Sequence, residues 1–97
     1  MATYVSLVNW TDQGIRGFKD TVTRADAVAQ LMERHGGKLK DIYWCLGQYD
    51  LVAIIEAPDE QEATAAALEI GAGGSVRTTT LRAFTRDEMQ AILARTA

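Results

Sequence analysis

Apolar and polar side chains alternate along this chain with two different periods, and each switch between them marks a new element. From Thr3 to Asn9 the period is two, with Val5 and Leu7 on one side and Tyr4, Ser6 and Val8 on the other, which predicts a first strand. Trp10 to Asp20 is polar and punctuated by glycine, and reads as a loop with one helical turn. From about Thr23 to His35 the period becomes that of a helix. Ala25, Val28, Ala29 and Met32 fall at i, i+3, i+4 and i+7, and Leu31 widens the stripe. Arg34 and His35 bring positive charge to the carbonyl end, and Gly36 and Gly37 supply the backbone freedom to stop.

A second strand over Lys40 to Leu46 forms a hairpin with a third over Asp50 to Ala57, ended by Pro58, which has no ladder donor. Asp59 and Glu62 resemble a capping pair for a second helix, in which Ala63, Ala66, Ala67 and Ile70 repeat the helical spacing on a face small enough to lie close on a sheet. Gly71, Gly73 and Gly74 end it. Ser75 to Phe84, with three consecutive threonines, predicts the fourth strand. Thr85 with Glu88 is a capping box for a terminal helix that docks through Met89, Ile92 and Leu93. Two crossovers joined by one hairpin define an α+β, ferredoxin-like plait, βαββαβ plus a C-terminal helix, as a single domain over residues 1–97, with both long helices on one face of a four-stranded antiparallel sheet.

The other face of that sheet should then read polar, and it does not. Leu51 to Ile55 is an unbroken apolar run, and along the second strand Ile42, Trp44 and Leu46 alternate with Tyr43 and Cys45. A wet patch of that kind is unusual on a monomer. The pattern therefore predicts a homodimer or higher homo-oligomer in which two sheets stack or close into a dimeric α/β-barrel-like assembly.

Composition narrows the function classes. A formal net charge of −3 argues against a nucleic-acid partner. No apolar run approaches the length of a membrane span, and the amino terminus lacks the pattern of a secretion signal. The single cysteine, Cys45, excludes an internal disulfide and suits a cytoplasmic location. One histidine and one cysteine do not make a metal site, and the glycines at 71, 73 and 74 are not followed by the lysine and helix of a phosphate loop. No metal or cofactor is expected.

The hairpin carries Gly47-Gln48-Tyr49-Asp50, followed by an apolar strand and Glu56-Ala57-Pro58-Asp59. With Thr11 to Gly14, Gly36-Gly37-Lys38-Leu39-Lys40 and the stretch Val76 to Phe84, these segments resemble the GYD-domain family over nearly the whole chain. The resemblance implies the plait and carries over no catalytic residue. A looser similarity is to the ligand-binding domain of leucine-responsive-type regulators, which place a glycine-x-tyrosine-aspartate turn between strands two and three. That similarity implies a small effector bound between subunits; the helix-turn-helix of such regulators is absent here. A third similarity, to small dimeric-barrel oxygenases acting on quinol-like substrates or using haem, implies an enzyme, but their polar site residues have no clear counterpart.

These readings define a candidate ligand set of Tyr4, Asn9, Trp44, Tyr49, Asp50, Glu56 and Arg77. The leading reading is a non-catalytic oligomeric module that takes a small molecule at a subunit boundary. The rival is a small barrel enzyme, monooxygenase-like or isomerase-like, resting on Glu56, Tyr49 and Asn9, and a third is a structural or protein-interaction module. Each residue also has a structural reading. Asp50 binds backbone amides at the turn where Gly47 supplies the dihedral. Glu56 pairs with Arg77 or Arg82. His35 stabilises a helix end. Cys45 is inert packing in mid-strand. Trp10 and Trp44 belong to core or interface, and Trp44, Tyr4, Tyr43 and Tyr49 gather at any pocket.

Overall fold

The expected order of elements is present, with one addition, in a computed structural model describing residues 1–97. It runs β1 (Ala2–Trp10), α1 (Asp12–Arg16), a 3-10 turn (Phe18–Asp20), α2 (Thr21–Arg34), β2 (Lys38–Trp44), β3 (Leu51–Ala57), α3 (Glu60–Ala72), β4 (Val76–Ala83) and α4 (Arg86–Leu93). The strands pair antiparallel throughout, in the order β2-β3-β1-β4. Both long helices lie on one side, α2 against β2 and α3 against β3 and β4.

The addition lies where a loop with one helical turn is expected, over Trp10 to Asp20, and is more ordered than that: α1 is followed by the 3-10 turn. β1 continues through Trp10, and Thr11 caps α1, its hydroxyl accepting from Gly14 N at 3.1 Å and donating to the Gly74 carbonyl at 2.5 Å. A Cβ on Gly14 would lie 1.9 Å from the Ser75 carbonyl oxygen. Glycine there marks a close approach of two backbone segments, not a flexible linker. The second strand is also shifted: it begins at Lys38 and ends at Trp44, with a register irregularity between Leu39 and Asp41, so Cys45 lies beyond the strand and not within it.

Register sorts each strand's residues between the two sides. Tyr4, Ser6 and Val8 of β1 oppose Ile55, Ala53 and Leu51 of β3, and all six are buried beneath the helices. The core proper is Tyr4, Met32, Ala53, Ile55, Ala57, Ala63 and Ala66. Its alanines let α3 settle closely on the sheet, and Met32 is the largest side chain with no exposure.

Caps fix the later helices. Asp59 accepts from Glu62 N at 2.9 Å, but Glu62 does not return the bond, because its carboxylate is turned to His35. The box at α4 is complete: Thr85 N donates to Glu88 Oε1 at 2.8 Å and Glu88 N to Thr85 Oγ1 at 3.2 Å. The bond from the Thr85 amide, helped by the Thr85 side chain, holds the Glu88 carboxyl below its ordinary pKa. The expected docking of α4 does not occur within the protomer. Met89 is 45% exposed and Leu93 53%, because α4 leaves the edge strand β4 beyond the reach of the core.

Candidate functional site

Gly47 has φ +118°, a conformation that disfavours every side chain, and it sets the turn from β2 to β3. The chain then returns at Asp50, whose backbone is held by Val8 (Asp50 N to Val8 O, 2.9 Å) and whose carbonyl accepts from Cys45 N at 2.8 Å. Its side chain reaches past the local turn. Asp50 Oδ2 accepts from Trp10 N at 2.8 Å, joining residues forty apart in sequence. The expected bond from Asp50 to backbone amide is thus made, but to β1 and not to its own turn.

Five of the candidate ligand residues gather at this end of the sheet. Asn9 and Arg77 are register partners across β1 and β4, Asp50 grips the residue after Asn9, and Tyr49 and Trp44 flank the turn. The other two lie at the far end: Tyr4 opposite Ile55 and Glu56 opposite Thr3. Thr3 and Asn9 are six steps apart along β1, about 20 Å of extended chain. Glu56, Tyr49 and Asn9 therefore do not converge on one reacting atom.

The ion pair expected between Glu56 and Arg77 or Arg82 is not formed, since β1 stands between β3 and β4. Glu56 neighbours Thr3 and Lys38, whereas Arg82 lies 3.8 Å from Glu88, donates to the Thr3 carbonyl and stacks over Phe84 and Tyr4, 4.5 and 5.6 Å from the ring centres. The aromatics do not share a pocket. Tyr4 is buried under the helices, Tyr43 lies on the opposite face, and Trp44 is 42% exposed with its indole N–H donating to Thr21 Oγ1 at 2.9 Å.

The helix-free face has an apolar centre edged by polar groups, with Asp41 beside Ile54, Thr79 beside Leu7, and Lys38, Glu56, Asn9 and Arg77 toward its ends. Val5 and Leu7 of β1 oppose Ile54 and Val52 of β3, Val52 opposes Tyr43 of β2, and Val5 opposes Leu81 of β4. No element of the protomer covers them; Tyr43 is 60% exposed and Leu81 48%.

On the other side, His35 does more than end a helix. Its Nδ1 lies 2.9 Å from Glu62 and its Nε2 3.0 Å from Glu69, so one ring ties α2 to α3. Both ring nitrogens act as donors only in the imidazolium form. The bond to Glu62, against some desolvation and helped by Glu69, raises the His35 pKa above 6.5. The carboxylates sit at opposite nitrogens, so the three groups do not converge as metal ligands. Sequence reasoning missed this contact because its signal, Glu62 and Glu69 two turns apart on a separate helix, only appears once α2 and α3 are packed. Beside this contact lies a cleft of about 390 Å³ between helices and sheet, floored by Ser6, Val8 and Ala53, walled by Val28, Leu31 and Ile70, and running from Thr21 and Arg24 to Arg34 and Glu69. None of the seven candidate residues lines it.

The fold and these surfaces define a small α+β plait with an unpaired apolar sheet face and no convergent catalytic set. No helix is long and apolar enough to cross a membrane. The GYD domain model matches residues 4–93, and the chain belongs to the GYD domain family. It is 36% identical over 85 residues to the glutamine synthetase and cystathionine beta-lyase binding protein of Thermus thermophilus, covering 87% of this chain and 90% of that one. A crystal structure of a Thermus thermophilus protein superposes with a TM-score of 0.57 at 25% identity, over 88% of this chain and 95% of the other. An ACT domain protein from Streptococcus pneumoniae superposes with a TM-score of 0.50 at 16% identity, over 100% and 97%, and bears on the fold alone.

Proposed function

We propose that this protein is a non-catalytic binding module that works as an assembly: a second copy covers the helix-free face, and the assembly docks on other proteins. The observation that carries the reading is the uncovered apolar cluster of Leu81, Val5 and Ile54 with Leu7, Val52 and Tyr43, which draws on all four strands and is bounded by Asp41 and Thr79. One sheet face of this kind is large enough for the roughly 800 Å² per partner of a stable dimer. The exposed stripe of α4, Met89 and Leu93, adds apolar area that a neighbouring copy can bury. A role in binding other proteins is supported by the Thermus relative, whose name describes it as binding two enzymes. If a small molecule sits at the subunit boundary, the corner of Asn9, Asp50 and Arg77 is where polar groups adjoin that face.

Sedimentation tests the assembly. The wild-type protein at micromolar concentration should run at twice the 10.6 kDa protomer mass or more. Ile54→Arg, which places a charge in the middle of the face, should run as a folded monomer with unchanged circular dichroism. A wild-type monomer would remove the reading's foundation. Co-sedimentation with purified glutamine synthetase and cystathionine beta-lyase then tests docking on enzymes.

A further inference from the structure

The cleft between α2, α3 and the sheet lies on the opposite side from the face assigned to self-association, and belongs to one protomer. We propose that it is a binding site for a small apolar molecule with one anionic end, of the class of medium-chain carboxylates. Three observations carry this. The first is size: about 390 Å³ falls within the roughly 300–1,000 Å³ typical of small-molecule pockets. The second is chemistry: the floor and walls, Val8, Val28, Leu31, Leu51 and Ile70, are aliphatic, and a dry apolar cleft gains from being filled by hydrocarbon. Val28, Leu31 and Ile70 are only partly buried, which leaves aliphatic surface open to the cleft.

The third is charge. Arg24 and Arg34 line the cleft against a single carboxylate, Glu69, which is already engaged by His35. Arg24 Nη2 donates to the carbonyls of Gly14 and Gly17 at 3.1 and 2.7 Å, which fixes the guanidinium at the end where α2 begins. Its Nε is buried and meets no acceptor. A guanidinium fixed at the margin of hydrocarbon walls suits a carboxylate held against them, because a charge-assisted interaction made out of water is stronger than one made in it. Ser6, Ser75 and Thr78 offer hydroxyls along the same cleft.

The test uses decanoate and its neutral counterpart decanol, titrated into the full chain with backbone amide chemical shifts as the readout. Saturable shifts at Ser6, Val28, Ile70 and Gly73 are expected, with decanoate bound at least about tenfold more tightly than decanol. Ala27→Trp, an exposed position at the cleft, should block both ligands while leaving the melting curve intact, and Ser6→Leu should do so from the floor. Arg24→Gln should erase the preference for decanoate while decanol still binds. The proposal falls if neither ligand saturates by millimolar concentration, or if the shifts map to Val5, Leu7 and Tyr43 on the helix-free face. It also falls if Ala27→Trp or Ser6→Leu binds normally, or if Ala27→Trp breaks up the oligomer, which would make a second copy the occupant. Equal binding of the two ligands would overturn the anionic end. Because Ile54→Arg disrupts only the other face, its monomer should still bind decanoate, and the two proposals fail independently.

Discussion

The two faces of this sheet are built from the same strands and both carry an apolar centre, yet only one has become a core. On the helix side Tyr4, Val8, Leu51, Ala53 and Ile55 are buried within the protomer. One residue along each strand, Val5, Leu7, Val52 and Ile54 are covered only by one another and by their edge neighbours. Composition separates the faces in part, since Lys38, Asp41, Glu56 and Arg77 edge the helix-free side and only Arg82 the other. The larger difference is which side the crossover helices took, and that leaves the apolar centre of the second face without cover within the protomer. The helix-side core is itself uneven, closed where Ala57, Ala63 and Ala66 pack and open at the cleft that Met32 lines.

Truncation on each face should separate the two kinds of burial most sharply. Met32→Ala removes a fully buried side chain and should cost about 2–5 kcal/mol in urea unfolding, at any protein concentration. Leu7→Ala should cost little in a dilute sample and progressively more as concentration rises, because its burial comes from a second copy. Equal, concentration-independent losses would mean that the two faces are equivalent and that no partner is needed.

The partition between faces depends on register, since a one-residue slip exchanges every side chain between them. Asp50 pins that register where β1 meets the hairpin. Asp50→Ala leaves Trp10 N without its acceptor and should destabilise the protomer by about 1–3 kcal/mol, with Asp50→Asn recovering most of the loss. Amide exchange at Trp10 and Leu51 should rise in the alanine variant. Unchanged protection there would show that backbone pairing alone sets the register.

Most of the fold was legible because it follows from local periods and caps. The alternation of β1, the helical stripe through Ala25 and Met32 and the Thr85–Glu88 box all keep their predicted roles. The surprises depend on strand order or on contact between distant segments. That Glu56 cannot reach Arg77 follows from β1 lying between them, which no spacing encodes. Gly14 looked like a loop glycine, and its meaning lies in Ser75. Of the candidate residues, only Asp50 was readable from the turn motif; that Asn9 and Arg77 lie near it follows from the pairing of β1 with β4. The cleft was not readable, since it is an absence of packing between α2 and α3 and not a property of either helix.

The latch between α2 and α3 offers the subtlest probe of the helix-side layer. His35 holds two carboxylates only as an imidazolium, and its pKa in the fold lies above the ordinary 6.5. The folded state therefore binds the proton more tightly than the unfolded chain does. Its contribution is complete below about pH 6.5 and is lost as pH rises through the higher folded value. Glu62 and Glu69 are each about half exposed, at 43% and 54% of their side chains, so the effect should be modest and should shrink in high salt. Wild-type stability should decline across this window, measured by melting at fixed low ionic strength. His35→Gln, which keeps hydrogen-bonding capacity but cannot titrate, should remove the part of that slope due to the latch. If the variant retains the wild-type slope, His35 merely touches the carboxylates and the helices are held together by packing at Met32 and Ala63 alone.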